Sequence, residues 1–373
     1  AQPRGLAVLR RAVHLTQAAI QGEVRRMFWD VVKPYLDRGL VSCQRHPDWP
    51  DLAIFNYTAA CQFGRHWDEV TRACRGLVVD LACDRVVARP FCKFFGLQEL
   101  PGLGLSVPAG EPEVTVKLDG ALGISYRTPG GRLRWATQGS FISRQARVAQ
   151  EMWGDRDNVP PGLTLLCEII HPETRVVVPY DFQDLVLVGA VETDTGRDLG
   201  WDDLAALGRE VGLRVVERVP FDLEEAVARA REMRADSGEG FVLRWPDGFR
   251  VKVKAPEYLE AHRVVVGLQS RRNLAEAWER GEVWRLLEKL PDDTELAARV
   301  AELDLLYRQV LDTCAGFFEA RKSLAQKEYA LQVQARLPQW LWPVAFALKK
   351  GGDGAGAARR AVVKRWLATP LTA

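Results

Sequence analysis

Lysine is scarce in this chain of 373 residues. Of its 51 basic residues only 11 are lysine, and between Lys33 and Lys289 there are four: Lys93, Lys117, Lys252 and Lys254. Arginine cannot stand where a neutral amine must attack, because a guanidinium stays protonated. Charge alone would allow Arg, so these four positions call for a chemical reason. Paired cysteines are also lacking: the seven are odd in number and none forms Cys-x-x-Cys. That excludes a disulfide framework and a zinc site of ordinary spacing. No apolar run is long enough to span a membrane, and the first residues enter a charged amphipathic pattern with no apolar signal core. Repeats and low-complexity tracts are absent. These absences predict a reduced, cytoplasmic protein with no membrane partner.

What is there suits an ordinary globular chain long enough for two domains, 47% hydrophobic and 27% charged. The net charge is only +2, yet residues 321–373 hold ten Lys/Arg against two Asp/Glu. That local excess is a nucleic-acid footprint. Apolar spacing predicts a helical segment over 6–38, interrupted or bent at Pro34. Strands follow over 52–63, 77–79, 86–88, 163–170, 176–178 and 185–191, with a hairpin over 121–137. Helices are expected over 141–153, 201–211 and 222–233. A second hairpin, over 241–254, turns at Pro246-Asp-Gly248 and puts Arg250, Lys252 and Lys254 on one face. Past Tyr258 the pattern becomes helical, with segments over 273–278, 295–311 and 322–337 and breaks at 338–342 and 351–356. The domain boundary is expected near 260.

Lys117 ends the alternating run Glu113-Val-Thr-Val-Lys-Leu-Asp-Gly120. Alone, Lys-x-Asp-Gly reads equally as a strand closing in an Asp-Gly turn. Its company is Glu168 in Leu165-Leu-Cys-Glu-Ile-Ile170, then Glu239-Gly-Phe-Val-Leu-Arg244, then Val251-Lys-Val-Lys254. In order, these resemble motifs I, III, IV and V of the covalent nucleotidyltransferases, the polynucleotide ligases and capping enzymes. Arg75 in Thr71-Arg-Ala-Cys-Arg-Gly-Leu-Val-Val-Asp80 and Lys93 in Phe91-Cys-Lys-Phe-Phe-Gly96 are similar to upstream elements of the T4 RNA ligase 1-like family. So are Asn56-Tyr57-Thr58, Gly139-Ser140-Phe141 and His171-Pro-Glu-Thr-Arg-Val-Val-Val-Pro-Tyr180. The likeness covers about residues 50–260.

The resemblance implies an α+β chain: an antiparallel-sheet, ATP-grasp-like nucleotidyltransferase domain over 1–260, then an all-helical RNA-binding domain over 261–373. It implies an ATP-dependent RNA ligase. Lys117 takes AMP from ATP, AMP passes to an RNA 5′-phosphate, and a 3′-hydroxyl displaces it. Nicked tRNA is the expected substrate, with an RNA end-healing enzyme as partner. Arg75, Lys93, Lys252 and Lys254 would contact phosphates, and Val116, Gly120 and Val242 would line the nucleotide site, with Val242 on the adenine face. Glu168 and Glu239 would hold Mg²⁺ or Mn²⁺ through water, and Asp119 would serve the ribose or the metal waters. Lys252, Lys254, the metal and desolvation are expected to lower the pKa of Lys117. One departure is Gln138, where the family often carries a basic residue. Competing readings are a DNA ligase or capping enzyme, which would place an OB barrel after motif V, and a non-catalytic RNA-binding relative.

Overall fold

The computed structural model describes residues 27–287 and 294–369. The part of the expected 6–38 helix that precedes residue 27 lies outside these. Its remainder, Met27–Asp37, runs through Pro34 instead of stopping there. The chain divides into two compact units, residues 1–258 and 259–373.

Three sheets build the first unit. One runs Val41–Arg45, Leu52–Tyr57, Arg75–Asp80, Arg85–Ala88. A second runs Asp184–Glu192, Leu163–Ile170, Ala121–Arg127, Leu133–Ala136. The third runs Arg218–Val219, Glu113–Lys117, Gly240–Arg244, Arg250–Lys254, Phe95–Gly96, with only its last pairing parallel. Strand Leu163–Ile170 is covered on both faces. Leu165, Cys167 and Ile169 pack with Val148, Leu204 and Leu207, while Leu166 joins Ile54, Val78 and Tyr126. That is why its sequence is a nearly unbroken apolar run rather than an alternation.

Two strand expectations are corrected. The strand expected over 52–63 stops at Tyr57, because the Thr58 hydroxyl accepts from Cys61 N at 3.2 Å and opens helix Ala59–Gly64. Residues 176–178 form no strand. The amides of Val177 and Val178 donate instead to Asp119 Oδ2, at 2.7 and 2.8 Å. A β-branched run whose amides serve a buried carboxylate has no donors left for a neighbour.

Past the helix Pro256–Gln269, which runs across the division, the described residues of the second unit form helices and no strand. Trp278, Val300, Leu303, Tyr329, Val344 and Val362 fill its core. Some of its cations belong to this scaffold. Arg359 lies 5.0 Å from the Trp278 ring centre and 5.2 Å from that of Tyr307, and donates to the Trp278 carbonyl at 2.8 Å. Lys349 donates to the carbonyls of Lys322 and Leu324. Of the expected break over 351–356, the last residues already belong to helix Gly354–Ala368, where Asp353 caps Gly356 N.

Candidate active site

Strand register assembles the site. Lys117 lies opposite Gly240, and Gly240 opposite Lys254; two pairings along, Thr115, Val242 and Lys252 align in the same way. Side chains alternate across a sheet, so these six and Glu113, Arg244 and Arg250 share one face. The other face carries Val114, Phe241, Leu243, Val251 and Val253 into the core. The polar face floors a cavity of about 330 Å³ that Arg75, Lys93, Gln138 and Glu168 also line. Two glycines permit this closeness. Gly240 has φ +133°, and a Cβ there would lie 2.0 Å from the Val253 carbonyl oxygen; a Cβ on Gly120 would lie 2.5 Å from that of Ile169.

Glu239, buried at 3% exposure, accepts from Lys117 Nζ at 2.7 Å on one oxygen and from Lys254 Nζ at 2.6 Å on the other. Burial works to raise its pKa, but the two ammonium groups outweigh that and hold it below the usual carboxylate value. At Lys117 burial favours the neutral amine, yet Glu239 and then Glu168 outweigh it and the pKa is raised. The expected lowering is therefore absent here: two carboxylates decide the sign, and the neighbouring lysines do not. Lys252 behaves oppositely. Burial, then the charges of Lys93, Lys254 and Lys117, lower it to about 7. The Glu168 carboxylate accepts from Gly120 N at 3.0 Å, and burial pushes its pKa up to about 7.

The upstream cations reach the same cavity. Arg75 stands over Phe94, 5.7 Å from its ring centre. The Lys93 ammonium sits among three rings, 5.6 Å from Tyr57, 5.5 Å from Trp67 and 5.5 Å from Phe95. Such a cage holds a cation electrostatically without neutralising it. Gln138, which stands where the resembled family often carries a basic residue, donates to Asn56 Oδ1 at 3.1 Å.

A sequence profile described as RNA ligase, that of T4 RNA ligase 1, matches residues 73–258. Over that stretch the chain belongs to the T4 RNA ligase 1-like family. It is 31% identical over 205 residues to a Thermovibrio ammonificans protein named "Putative RNA ligase", covering 51% of this chain and 53% of that one. The chain thus spans about half the length of that relative. It is 22% identical over 354 residues to the RNA ligase of Rhodothermus phage RM378, covering 76% and 78%. A solved archaeal ATP-dependent RNA ligase (form 2) aligns over 77% of this chain and 79% of its own at 18% identity. Its TM-score of 0.45 is too low to bear on the fold.

Not every residue implied by the ligase-family resemblance enters the cavity. Asp119 is 3% exposed, and its carboxylate is fully engaged elsewhere: Oδ2 by Val177 N and Val178 N, Oδ1 by the Tyr258 hydroxyl at 2.6 Å. Its backbone N donates to the Tyr180 hydroxyl. Asp119 thus clamps the loop after His171 and does not line the cavity of Lys117. Val116 borders the cavity but packs with the core on the sheet's other face. Val242 lines the floor between Thr115 and Lys252. The sequence reading missed the Tyr57–Trp67–Phe95 cage and the ion-pair chain at the cavity's far end. There Arg244 bonds Glu113 at 3.0 Å and Asp198 at 3.1 Å, and Asp198 also pairs with Arg250. Tyr57, Phe95, Glu113, Arg244 and Arg250 stood in stretches singled out in the sequence, but nothing there showed that they meet. Trp67 and Asp198 carried none.

Proposed function

We propose that this chain is an ATP-dependent RNA ligase that joins a 5′-phosphate to a 3′-hydroxyl through lysyl-AMP on Lys117 and an RNA-adenylate. The observation that carries this is the trio Lys117–Glu239–Lys254, two lysines on one buried carboxylate, set by strand register in a cavity that also gathers Arg75, Lys93 and Lys252. Lys252 is a half-buried lysine with no carboxylate in contact among the described residues, an environment that suits a polyanion.

Lys117 is the nucleophile in this reading. Its nitrogen forms the bond to the α-phosphorus of ATP while the bond to pyrophosphate breaks. Attack needs the neutral amine, so the proton now shared with Glu239 must leave first; Glu239, at 2.7 Å, is the acceptor in contact with it. Lys254 is poised from the opposite side of Glu239 to stay with the α-phosphate, and Arg75, Lys93 and Lys252 face the remaining phosphates. Among the described residues no three or more His, Cys, Asp or Glu converge to hold a metal. A divalent cation would therefore keep water and phosphate oxygens as most of its ligands, as Mg²⁺ does. Glu168 fits that role, being half-buried at the cavity and bonded on one oxygen only. Glu239 does not fit while both its oxygens hold lysines. When bound, Mg²⁺ or Mn²⁺ offsets phosphate charge and orients the leaving pyrophosphate.

RNA is the polymer partner in this reading, a nicked tRNA-like hairpin the substrate, and an end-healing enzyme the source of its termini. Support for a separate RNA-holding part comes from the helical unit, where no OB barrel follows the last motif among the described residues. Incubation with α-labelled ATP, GTP or NAD⁺ and scoring of label retained after denaturation tests the chemistry. Label from ATP far above the others is expected. Equal label from GTP moves the chain to the capping branch, and no label from any leaves a non-catalytic binder.

A further inference from the structure

Lys93 stands on a wall between two cavities. One is the pocket of Lys117; the other, of about 210 Å³, is lined by Gln62, Arg65, Trp67, Gln98 and Gly102 together with Lys93 itself. Gln62, Arg65 and Gln98 are exposed at its rim. The one acid there, Glu99, turns its Oε2 to accept from Gly96 N at 2.6 Å. Next to Gln62 on the short helix Ala59–Gly64, Phe63 is 82% exposed, an aromatic ring that the core does not use.

We propose that this second cavity receives the 5′-terminal nucleoside of the RNA strand that accepts AMP. The inference rests on the ligase reading above. Displacement at phosphorus keeps nucleophile and leaving group in line. In the first step Lys117 enters and pyrophosphate leaves on the opposite side. In the second step an oxygen of the RNA 5′-phosphate forms the new P–O bond as the N–P bond breaks. The electron pair of that bond returns to the Lys117 nitrogen, which takes a proton from water. The RNA phosphate must therefore enter where pyrophosphate left, on the side of Lys93 and Lys252. Its own sugar and base then lie one nucleoside beyond Lys93, where this cavity opens. The aromatic cage keeps the Lys93 ammonium fixed through both steps, so the same cation meets the departing and the arriving phosphate. The lining suits a nucleoside better than a further phosphate. Two amides can pair with a base edge or sugar hydroxyls, and the Trp67 indole offers a stacking surface, as in other single-strand RNA sites.

Gly102→Trp would fill the cavity. Gly102 carries no left-handed backbone, and a Cβ there would meet only Arg65 Nη1, at an ordinary 3.5 Å. The full-length protein carrying it is charged with α-labelled ATP, freed of nucleotide and mixed with 5′-phosphorylated RNA in single turnover. Label on Lys117 and KM for ATP should stay within about twofold of wild type, while AMP transfer to RNA should slow about tenfold or more. Gln62→Ala with Gln98→Ala, both at exposed positions, should slow transfer in the same direction and decides the matter if Gly102→Trp fails to fold. Transfer at the wild-type rate in both variants would overturn the proposal. So would a rise in KM for ATP that accounts for the loss, since the cavity would then belong to the triphosphate. Failure of the wild type to take label from ATP would instead refute the ligase reading itself.

Discussion

Nucleotide binding should draw a proton from solvent, and Lys252 should be its main carrier. With a pKa lowered to about 7 by burial and by Lys93, Lys254 and Lys117, only about one tenth of Lys252 is charged at pH 8 in the free protein, by simple titration. A bound triphosphate outweighs the repulsion of those neighbours with negative charge and restores the ammonium. Uptake is then about 0.9 proton per nucleotide at pH 8, about 0.5 at pH 7 and about 0.1 at pH 6. The sign follows: the complex binds more protons than the free protein, so affinity falls as pH rises above 7, by about tenfold per unit. Calorimetric titration with a non-cleavable ATP analogue, without metal, in buffers of differing ionisation enthalpy reads the proton number directly. Glu168, also raised to about 7, titrates in the same window, so the share of Lys252 is the difference between wild type and Lys252→Met. Equal heats in all buffers at pH 8, or a Lys252→Met variant with unchanged uptake, would refute the argument.

Three further outcomes follow from packing and charge. Gly240→Ala meets the Val253 carbonyl and a left-handed φ at once, and should destabilise the first unit by more than about 3 kcal/mol in chemical denaturation. Tyr258→Phe leaves buried Asp119 Oδ1 without its donor; stability should fall by about 1–3 kcal/mol, with KM for ATP little changed. Charge reversal at exposed Arg360, Lys364 and Arg365 should weaken RNA binding and flatten its salt dependence by about 0.7 log units per lost contact. Unchanged RNA affinity in that triple variant would move the RNA site to the first unit.

The floor of the site was legible because two regularities coincide. Lysine is kept where arginine would serve for charge, and strand alternation puts Lys252 and Lys254 on one face with Lys117 across the register. Glu239 was legible only through the resemblance of Glu239-Gly-Phe-Val-Leu-Arg244 to the family's motif IV. Contacts from distant loops were not. Nothing about Asp119, two residues past Lys117, foretells that the loop after His171 will take its carboxylate. The cage around Lys93 draws rings from positions 57, 67 and 95, with no shared period to reveal it. Composition also overcounts free charge. Arg359 and Lys349 belong to the basic excess of residues 321–373, yet both are spent on rings and carbonyls within their own unit. The pKa of Lys117 went the opposite way from expectation because its sign depends on which carboxylates lie closest, and sequence order does not give that distance.

The central claim is that Lys117 carries AMP. Peptide mapping by mass spectrometry after incubation with ATP and Mg²⁺ tests it most directly. The account predicts AMP on the peptide containing Lys117 and on no other lysine. It also predicts none in Lys117→Arg, which should still seal pre-adenylylated RNA because that substrate bypasses the covalent step. AMP on Lys252, Lys254 or any other residue, or label persisting in Lys117→Arg, would contradict it.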